Sequence, residues 1–331
     1  MREFSPALLE PFGLRSKRIT RAYGAFICDT NQGVVLVKEA AQPEEVLWAA
    51  HGAKEYLCRQ GFGWTDRYIV GRDGFPWAAA GGEIYTVRSW LRAEEADLTD
   101  KACVIQMAAM LGRMHRLSVR YEPVQGAQMV NRCYEWPQKV YKNCRKLKSY
   151  GKILRKNGHY TEFDLMVLSC LPQQVEEAEQ AQEFFMGPKY VRLAERSDEQ
   201  HAFGHGQYTD HTVLLGKNRT MITDFEKISY MIPATDLVML LEKVLRKNHW
   251  SVEFGMEMLE AYDRWCPMGE EERQFVYAGL IYPSRLCELC TKAYHTKRSW
   301  IPIAYKQKLE EFLAQQEKRK DFLHQLRSVL R

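Results

Sequence analysis

The chain has 331 residues, 46% of them hydrophobic and 27% charged. That is the composition of a globular protein large enough for a sizeable core and two lobes, and it excludes a disordered chain. A formal net charge of +5 is a mild excess. With no recognised nucleic-acid module beside it, it argues against a DNA- or RNA-binding role. No apolar run approaches the roughly 20 residues that span a bilayer, and Met1-Arg2-Glu3-Phe4-Ser5-Pro6 lacks the basic-then-apolar order of a signal peptide. The expectation is a protein made and kept inside a cell. Nine cysteines, odd in number and scattered, do not suggest a secreted disulfide framework. Cys287 and Cys290 form a lone CxxC, half of a zinc site at best and more simply two cysteines on one helix.

Taken in chain order, residues 1–91 predict a β-rich lobe with one helix. Ala22 to Asp29 alternates toward a strand, Thr30-Asn31-Gln32-Gly33 marks a turn, and Val34-Val35-Leu36-Val37-Lys38 is an apolar strand ending in a lysine. A helix is expected after Pro43, with Glu44 and Glu45 in its first turn and a stop at Gly61. Two strands follow near Asp66–Val70 and Pro76–Ala80, and a last one, Glu83–Leu91, leads out of the lobe. From about residue 98 the period becomes helical: Val104, Met107, Ala108, Leu111, Met114 and His115 share one face. Residues 92–331 are therefore read as a larger, mainly helical lobe.

Within it, Pro137 to Thr161 contains no acidic residue and carries Lys139, Lys142, Arg145, Lys146, Lys148, Lys152, Arg155 and Lys156. Such a run reads as a solvated helix face, or as a surface for an acidic partner or phosphate. The acidic stretch Val175–Glu183 predicts a further helix. Thr212–Leu215 and Met221–Thr223 predict a short hairpin around Gly216-Lys217-Asn218-Arg219, and Phe312 to Leu326 predicts one long surface helix.

The chemistry concentrates in His205-Gly206-Gln207-Tyr208-Thr209-Asp210-His211-Thr212 and, twelve residues on, Asp224-Phe225-Glu226. In kinase chemistry, an Asp two residues after such a His accepts the substrate proton. An Asn five residues further on and the Asp of a DFG-like loop hold the metal. Here Gln207 and Thr212 stand at the first two positions and Asp224 at the third. Gln207 can orient a hydroxyl but cannot take its proton. Asp210 is the one nearby substitute base, but moving the motif onto it would put Leu215 at the Asn position.

The β lobe, the strand ending in Lys38, the helical lobe and the His-Gly loop before Asp-Phe-Glu together resemble the aminoglycoside and choline phosphotransferase branch of the kinase-like fold. Gly74-Phe75-Pro76, Gly82 to Leu91, Leu111-Gly112-Arg113-Met114-His115, Gly158 to Asp164, and Tyr282-Pro283 with Tyr294 and Trp300 resemble, in their order, the spore coat proteins of the CotS type. The resemblance implies an α+β, bilobal protein-kinase-like fold, with a small N-terminal antiparallel β lobe and a large helical C-terminal lobe. It places Lys38 on nucleotide phosphates, Tyr85 and Trp90 beside an adenine, Thr212 near the nucleotide and Asp224 on Mg²⁺, with ATP and Mg²⁺ as the implied cofactors. Glu44, Glu45 and Glu55 are candidates for the helix glutamate that pairs the strand lysine. Asp236 matches a structural aspartate.

Three functions remain open at this stage. They are a catalytically degenerate coat or envelope protein, an active ATP/Mg²⁺ phosphotransferase on a small hydroxylated or sugar acceptor, and a nucleotide or metabolite sensor. The implied partners are other coat proteins or an anionic surface, met through the basic arm at 137–161, and the implied location is the spore coat of a sporulating bacterium.

Overall fold

The computed structural model describes residues 5–22, 24–217, 219–294 and 300–329. Met1–Phe4 of the expected leaderless start, Tyr23 and the turn residue Asn218 lie outside the described residues. The strands are β1 (Ser16–Ala22), β2 (Ala25–Thr30), β3 (Gly33–Glu39), β4 (Ala78–Ala80), β5 (Glu83–Ser89), β6 (Glu94–Glu95), β7 (Val130–Asn131), β8 (Phe203–Gly204), β9 (Val213–Leu215), β10 (Thr220–Ile222) and β11 (Ser229–Tyr230). The helices are α1 (Glu44–Arg59), α2 (Lys101–Leu117), α3 (Glu135–Asn157), α4 (Glu162–Phe185), α5 (Pro188–Glu199), α6 (Ala234–Lys247), α7 (Val252–Asp263), α8 (Glu270–Ile281), α9 (Ser284–Tyr294), α10 (Ile303–Ala314) and α11 (Gln316–Val329). No helix among the described residues is long and apolar enough to cross a membrane. The chain forms two compact units. The first gathers Met1–Asp97, Arg113–Asn131 and Gln200–Tyr230, and the second holds the remainder.

In the first unit an antiparallel sheet of order β1-β2-β3-β5-β4 is built on the β-branched run of β3. Its two faces differ by the period of two. Phe26, Cys28, Val35, Val37 and Val87 point to one side, where Leu8, Leu9 and Phe12 of the 3-10 segment Pro6–Phe12 and the following Leu14 cover them. Ala25, Ile27 and Leu36 point to the other, with Trp90 packed against them. The parity that buries Val35 and Val37 therefore sends Leu36 and Lys38 to the second face, and in β5 it does the same for Arg88, the partner of Leu36.

Helix α1 begins after Pro43 with Glu44 and Glu45 in its first turn, as its sequence predicts. It buries Leu47, Ala50, Ala53 and Leu57, and Lys54 falls on the same stripe and is fully buried. The strand expected near Asp66–Val70 is instead an extended segment. It makes single bridges, Thr65 to Ile222 and Tyr68 to Arg88, because its pairing passes from one sheet to another within four residues. Ser16–Ala22 forms a strand that alternation did not reveal, since its side chains are almost all exposed.

In the second unit α3 packs on α4. Val140, Cys144, Leu147 and Leu154 are buried, and Trp136 stacks on Phe185 at 4.6 Å. The opposite side of α3 exposes Lys142, Arg145, Lys152, Arg155 and Lys156, while Lys148 pairs with Glu179 of α4 at 2.5 Å. Thr161 caps α4 in a reciprocal box with Asp164, whose second carboxylate oxygen accepts from the Tyr294 hydroxyl at 2.8 Å. Two of the sequence signatures, around Asp164 and Tyr294, thus meet in one structural contact. All nine cysteines are free, and burial pushes the Cys287 thiol up to about 12, as expected of an inert core residue.

The predicted surface helix at Phe312–Leu326 is corrected. It is two helices, α10 and α11, meeting at Gln315, and Phe312, Phe322, Leu323 and Leu326 are buried. Arg319, 3% exposed, made the stretch look polar. Its guanidinium bonds Glu177 at 2.6 Å and the carbonyls of Leu280 and Ile281, which end α8. Gly255 of α7 admits the Phe322 ring so closely that a Cβ there would overlap it. Gly255→Ala should therefore cost about 1–3 kcal/mol by overpacking, read as a lower urea midpoint at unchanged m.

Candidate functional site

The second face of the sheet carries the site, all of it within the first unit. Lys38 Nζ lies 3.1 Å from Asp224 Oδ1 and 3.0 Å from Glu226 Oε1. Arg88 reaches the same acids, with Nη2 2.8 Å from Glu226 Oε1 and Nη1 3.7 Å from Asp224 Oδ1. Nη1 is also 3.4 Å from Asp66 Oδ2. Lys54 of α1 reaches Asp66 from the other side, 2.5 Å from Oδ1, and donates to the Asp66 carbonyl at 2.9 Å. Three cations and three carboxylates thus form one cluster. Lys54, Asp66 and Arg88 are at most 1% exposed, whereas about a third of Asp224 is open to solvent. Tyr68 lies under both buried cations, 4.3 Å from the Lys54 ammonium and 4.9 Å from the Arg88 guanidinium.

The charge states follow from this packing. Burial pushes the Lys54 ammonium down to about 8, and the Asp66 carboxylate opposes the shift. Burial also works against Arg88, yet the surrounding acids and the Tyr68 oxygen raise it further above its already high value. Burial alone would raise the Asp224 carboxyl, but Lys38 and Arg88 outweigh it and hold it below the ordinary value of 3.8.

Asp224 owes its position to an unusual backbone. It sits at φ 65°, in the left-handed region, and its N–H donates to Asp66 Oδ2 at 3.2 Å. Phe225 beneath it is fully buried, with His205 4.6 Å away, ring to ring. The His205 ring ties the two loops together. Its Nδ1 accepts from the Gln207 N–H at 3.2 Å, so Nε2 carries the proton donated to the Thr223 carbonyl at 2.8 Å. Gly206, at φ 76°, lies so near the Lys227 carbonyl that a Cβ would overlap it, which is why glycine follows the histidine.

The residues named from the sequence divide clearly. Leu36, Lys38, Asp66, Arg88, Trp90, His211, Leu214, Thr223 and Asp224 line one concavity, so Lys38, Trp90 and Asp224 come together. Tyr85 does not join them, which corrects its expected place beside a nucleotide. Five residues from Trp90, it has the opposite parity and packs against the core under the N-terminal segment. Thr212 is 4% exposed, and its hydroxyl serves its own loop. It accepts from the Thr209 N–H at 2.9 Å and donates to the Thr209 or Gln207 carbonyl at 2.9 and 3.2 Å. That geometry turns it away from the expected nucleotide role. Gln207 is fixed through its backbone, and neither it nor Asp210 lines the concavity.

None of the three glutamate candidates on α1 pairs Lys38. Glu44 and Glu45 are exposed, and Glu55 makes a bidentate contact with Arg67 at 2.8 and 2.6 Å. The strand lysine's carboxylates are Asp224 and Glu226 instead. A divalent ion of the kind kinase chemistry uses would need the lone pairs of Asp224 and Glu226, but both acids are already engaged by Lys38 and Arg88. The residues present do not fit that ion without rearrangement.

An antiparallel sheet with an inward lysine on its third strand, joined to a His-Gly loop and an Asp-Phe-Glu turn, defines a kinase-like phosphotransferase fold. The chain belongs to the family of the spore coat putative kinase YutH, whose model matches residues 6–326. It is 22% identical over 303 residues to spore coat protein S of Bacillus subtilis (strain 168), covering 90% of this chain and 85% of that one. In fold it is similar to an aminoglycoside phosphotransferase from Alicyclobacillus acidocaldarius, with a TM-score of 0.88 at 17% identity over 100% of this chain and 97% of that one. It is also similar to the AMP-bound spectinomycin phosphotransferase APH(9)-Ia, with a TM-score of 0.60 at 12% identity over 92% of each chain. The amicoumacin kinase hAmiN, solved with AMP-PNP and Ca²⁺, gives a TM-score of 0.59 at 10% identity over 98% of this chain and 93% of that one. The expected α+β kinase-like class holds.

Two outcomes follow from the cluster. Asp66→Ala leaves Lys54 and Arg88 as buried charges short of a partner, and should cost about 3–5 kcal/mol in chemical denaturation. Asp224 is held low in the folded state, so its stabilisation is full above 3.8 and is lost as pH falls through the lowered value. Asp224→Asn should therefore be less stable than the wild type at neutral pH, and the gap should close in acid.

Proposed function

We propose that this protein is a catalytically silent, kinase-like component of the spore coat. The observation that carries the reading is the catalytic loop itself. The base position is Gln207, which cannot accept a proton, and the position that should offer a metal ligand is Thr212, whose hydroxyl is held by Thr209 and Gln207. The fold persists around these two changes, with His205, Gly206 and Asp224 in their structural places. Membership of the YutH family and the similarity to spore coat protein S support a coat location. In this reading the exposed cations of α3 form a docking face for acidic coat components.

A second reading, a nucleotide sensor, is favoured by one observation. Leu36, Trp90 and Leu214 line the same concavity as Lys38, an apolar surface beside a cation that suits a base and a phosphate.

Purified protein with ATP and Mg²⁺ should release ADP no faster than the Asp224→Asn variant, far below the roughly 1–100 s⁻¹ of protein kinases. Turnover in that range that Asp224→Asn abolishes would overturn the silent-protein reading. Thermal stabilisation by ATP without turnover would select the sensor.

A further inference from the structure

The acidic pair at the candidate metal site already has a cation, and that cation belongs to the chain. Arg88 Nη2 is 2.8 Å from Glu226 Oε1, and Nη1 is 3.7 Å from Asp224 Oδ1 and 3.4 Å from Asp66 Oδ2. One guanidinium therefore touches all three carboxylates of the cluster. It is fixed there because β5 parity points it inward, because it lies over the Tyr68 ring, 4.9 Å from the ring centroid, and because only 1% of it is exposed. Lys38 supplies the second contact to Asp224 and Glu226, but from a position 27% exposed.

We propose that Arg88 is a built-in replacement for the divalent ion, so that Asp224 and Glu226 do not bind a metal while Arg88 is present. The cluster balances without one: Lys38, Lys54 and Arg88 carry three positive charges against the three negative charges of Asp66, Asp224 and Glu226. A divalent ion would enter a neutral, largely buried site and meet a cation that cannot withdraw to solvent, so repulsion acts at short range. Any anion that enters the concavity meets the Lys38 ammonium directly, and its binding does not require a metal bridge. The inference rests on the kinase-type reading of this pocket.

The test uses Mn²⁺ alone, an ion suited to oxygen ligands, followed by electron paramagnetic resonance and calorimetry on the full chain. The wild type should show no saturable Mn²⁺ site up to about 1 mM, the weak end of carboxylate sites. Arg88→Met, and the milder Arg88→Gln, should gain a site whose affinity is about tenfold or more higher and which Asp224→Asn removes again. A wild-type Mn²⁺ site that Asp224→Asn abolishes overturns the proposal, as do folded Arg88 variants that gain nothing. Should both Arg88 variants unfold, Lys38→Met decides. It remains without metal if Arg88 is the excluding group, and a metal site gained there overturns the assignment to Arg88. Mn²⁺ binding by the wild type without ATP turnover removes this inference and leaves the silent-protein reading standing. Turnover removes the silent-protein reading, whatever the metal result.

Discussion

The buried carboxylate of Asp66 is the interaction on which the site depends. It takes Lys54 from the helix on one oxygen and Arg88 from the sheet on the other, and it accepts the Asp224 N–H. Neither cation could remain charged in that interior without it, because the desolvation of an unpaired ion amounts to several kcal/mol. Asp224 in turn could not easily keep its left-handed backbone without the hydrogen bond that anchors it. Helix α1, strand β5 and the Asp-Phe-Glu turn are thereby tied to one side chain. That side chain sits in a segment too irregular to form a ladder, and the irregularity has a reason: the segment bridges Ile222 on one side and Arg88 on the other.

What the sequence made legible was the local periodic part. The β3 run, the Pro43 helix start, the hairpin of β9 and β10 and the basic helix all follow from alternation, caps and turn residues, and the structure contains each of them. The misses share a cause. Several charged residues are buried, among them Lys54, Arg88 and Arg319, which sit on buried stripes and find their partners far away in sequence. For Lys54 a signal existed, since it falls four residues after Ala50 and three before Leu57, on the apolar face of its own helix. Arg88 could have been found by counting, because it shares the parity of Trp90. The same count would have separated Tyr85 from Trp90. Asp66 carried no local signal at all, because its role is defined only by what folds around it.

The His-Gly loop is held by contacts that do not involve the side chain at position 207. His205 bonds the Gln207 N–H and the Thr223 carbonyl, Gly206 allows the chain to pass the Lys227 carbonyl, and Thr212 closes its own turn through Thr209. Each of these contacts is needed for the loop's shape, and none needs an acid at position 207 or an amide at position 212. The loop's conformation therefore does not depend on an acidic side chain at position 207.

Charge balance adds a constraint that the loop alone does not. Two unit charges 4 Å apart interact by about 4 kcal/mol at an effective dielectric near 20, so a cluster of three cations and three acids is stable only near neutrality. In this chain the acids are compensated from within, by a guanidinium whose position is set by strand parity and a tyrosine ring. Arg88 thereby stabilises the resting pocket, and on the inference above it also removes the deficit of positive charge that would draw a divalent ion in. Gln207 in the loop and Arg88 on β5 are separate features at separate places. Both support the proposed reading, in which the pocket is kept for its architecture and for binding.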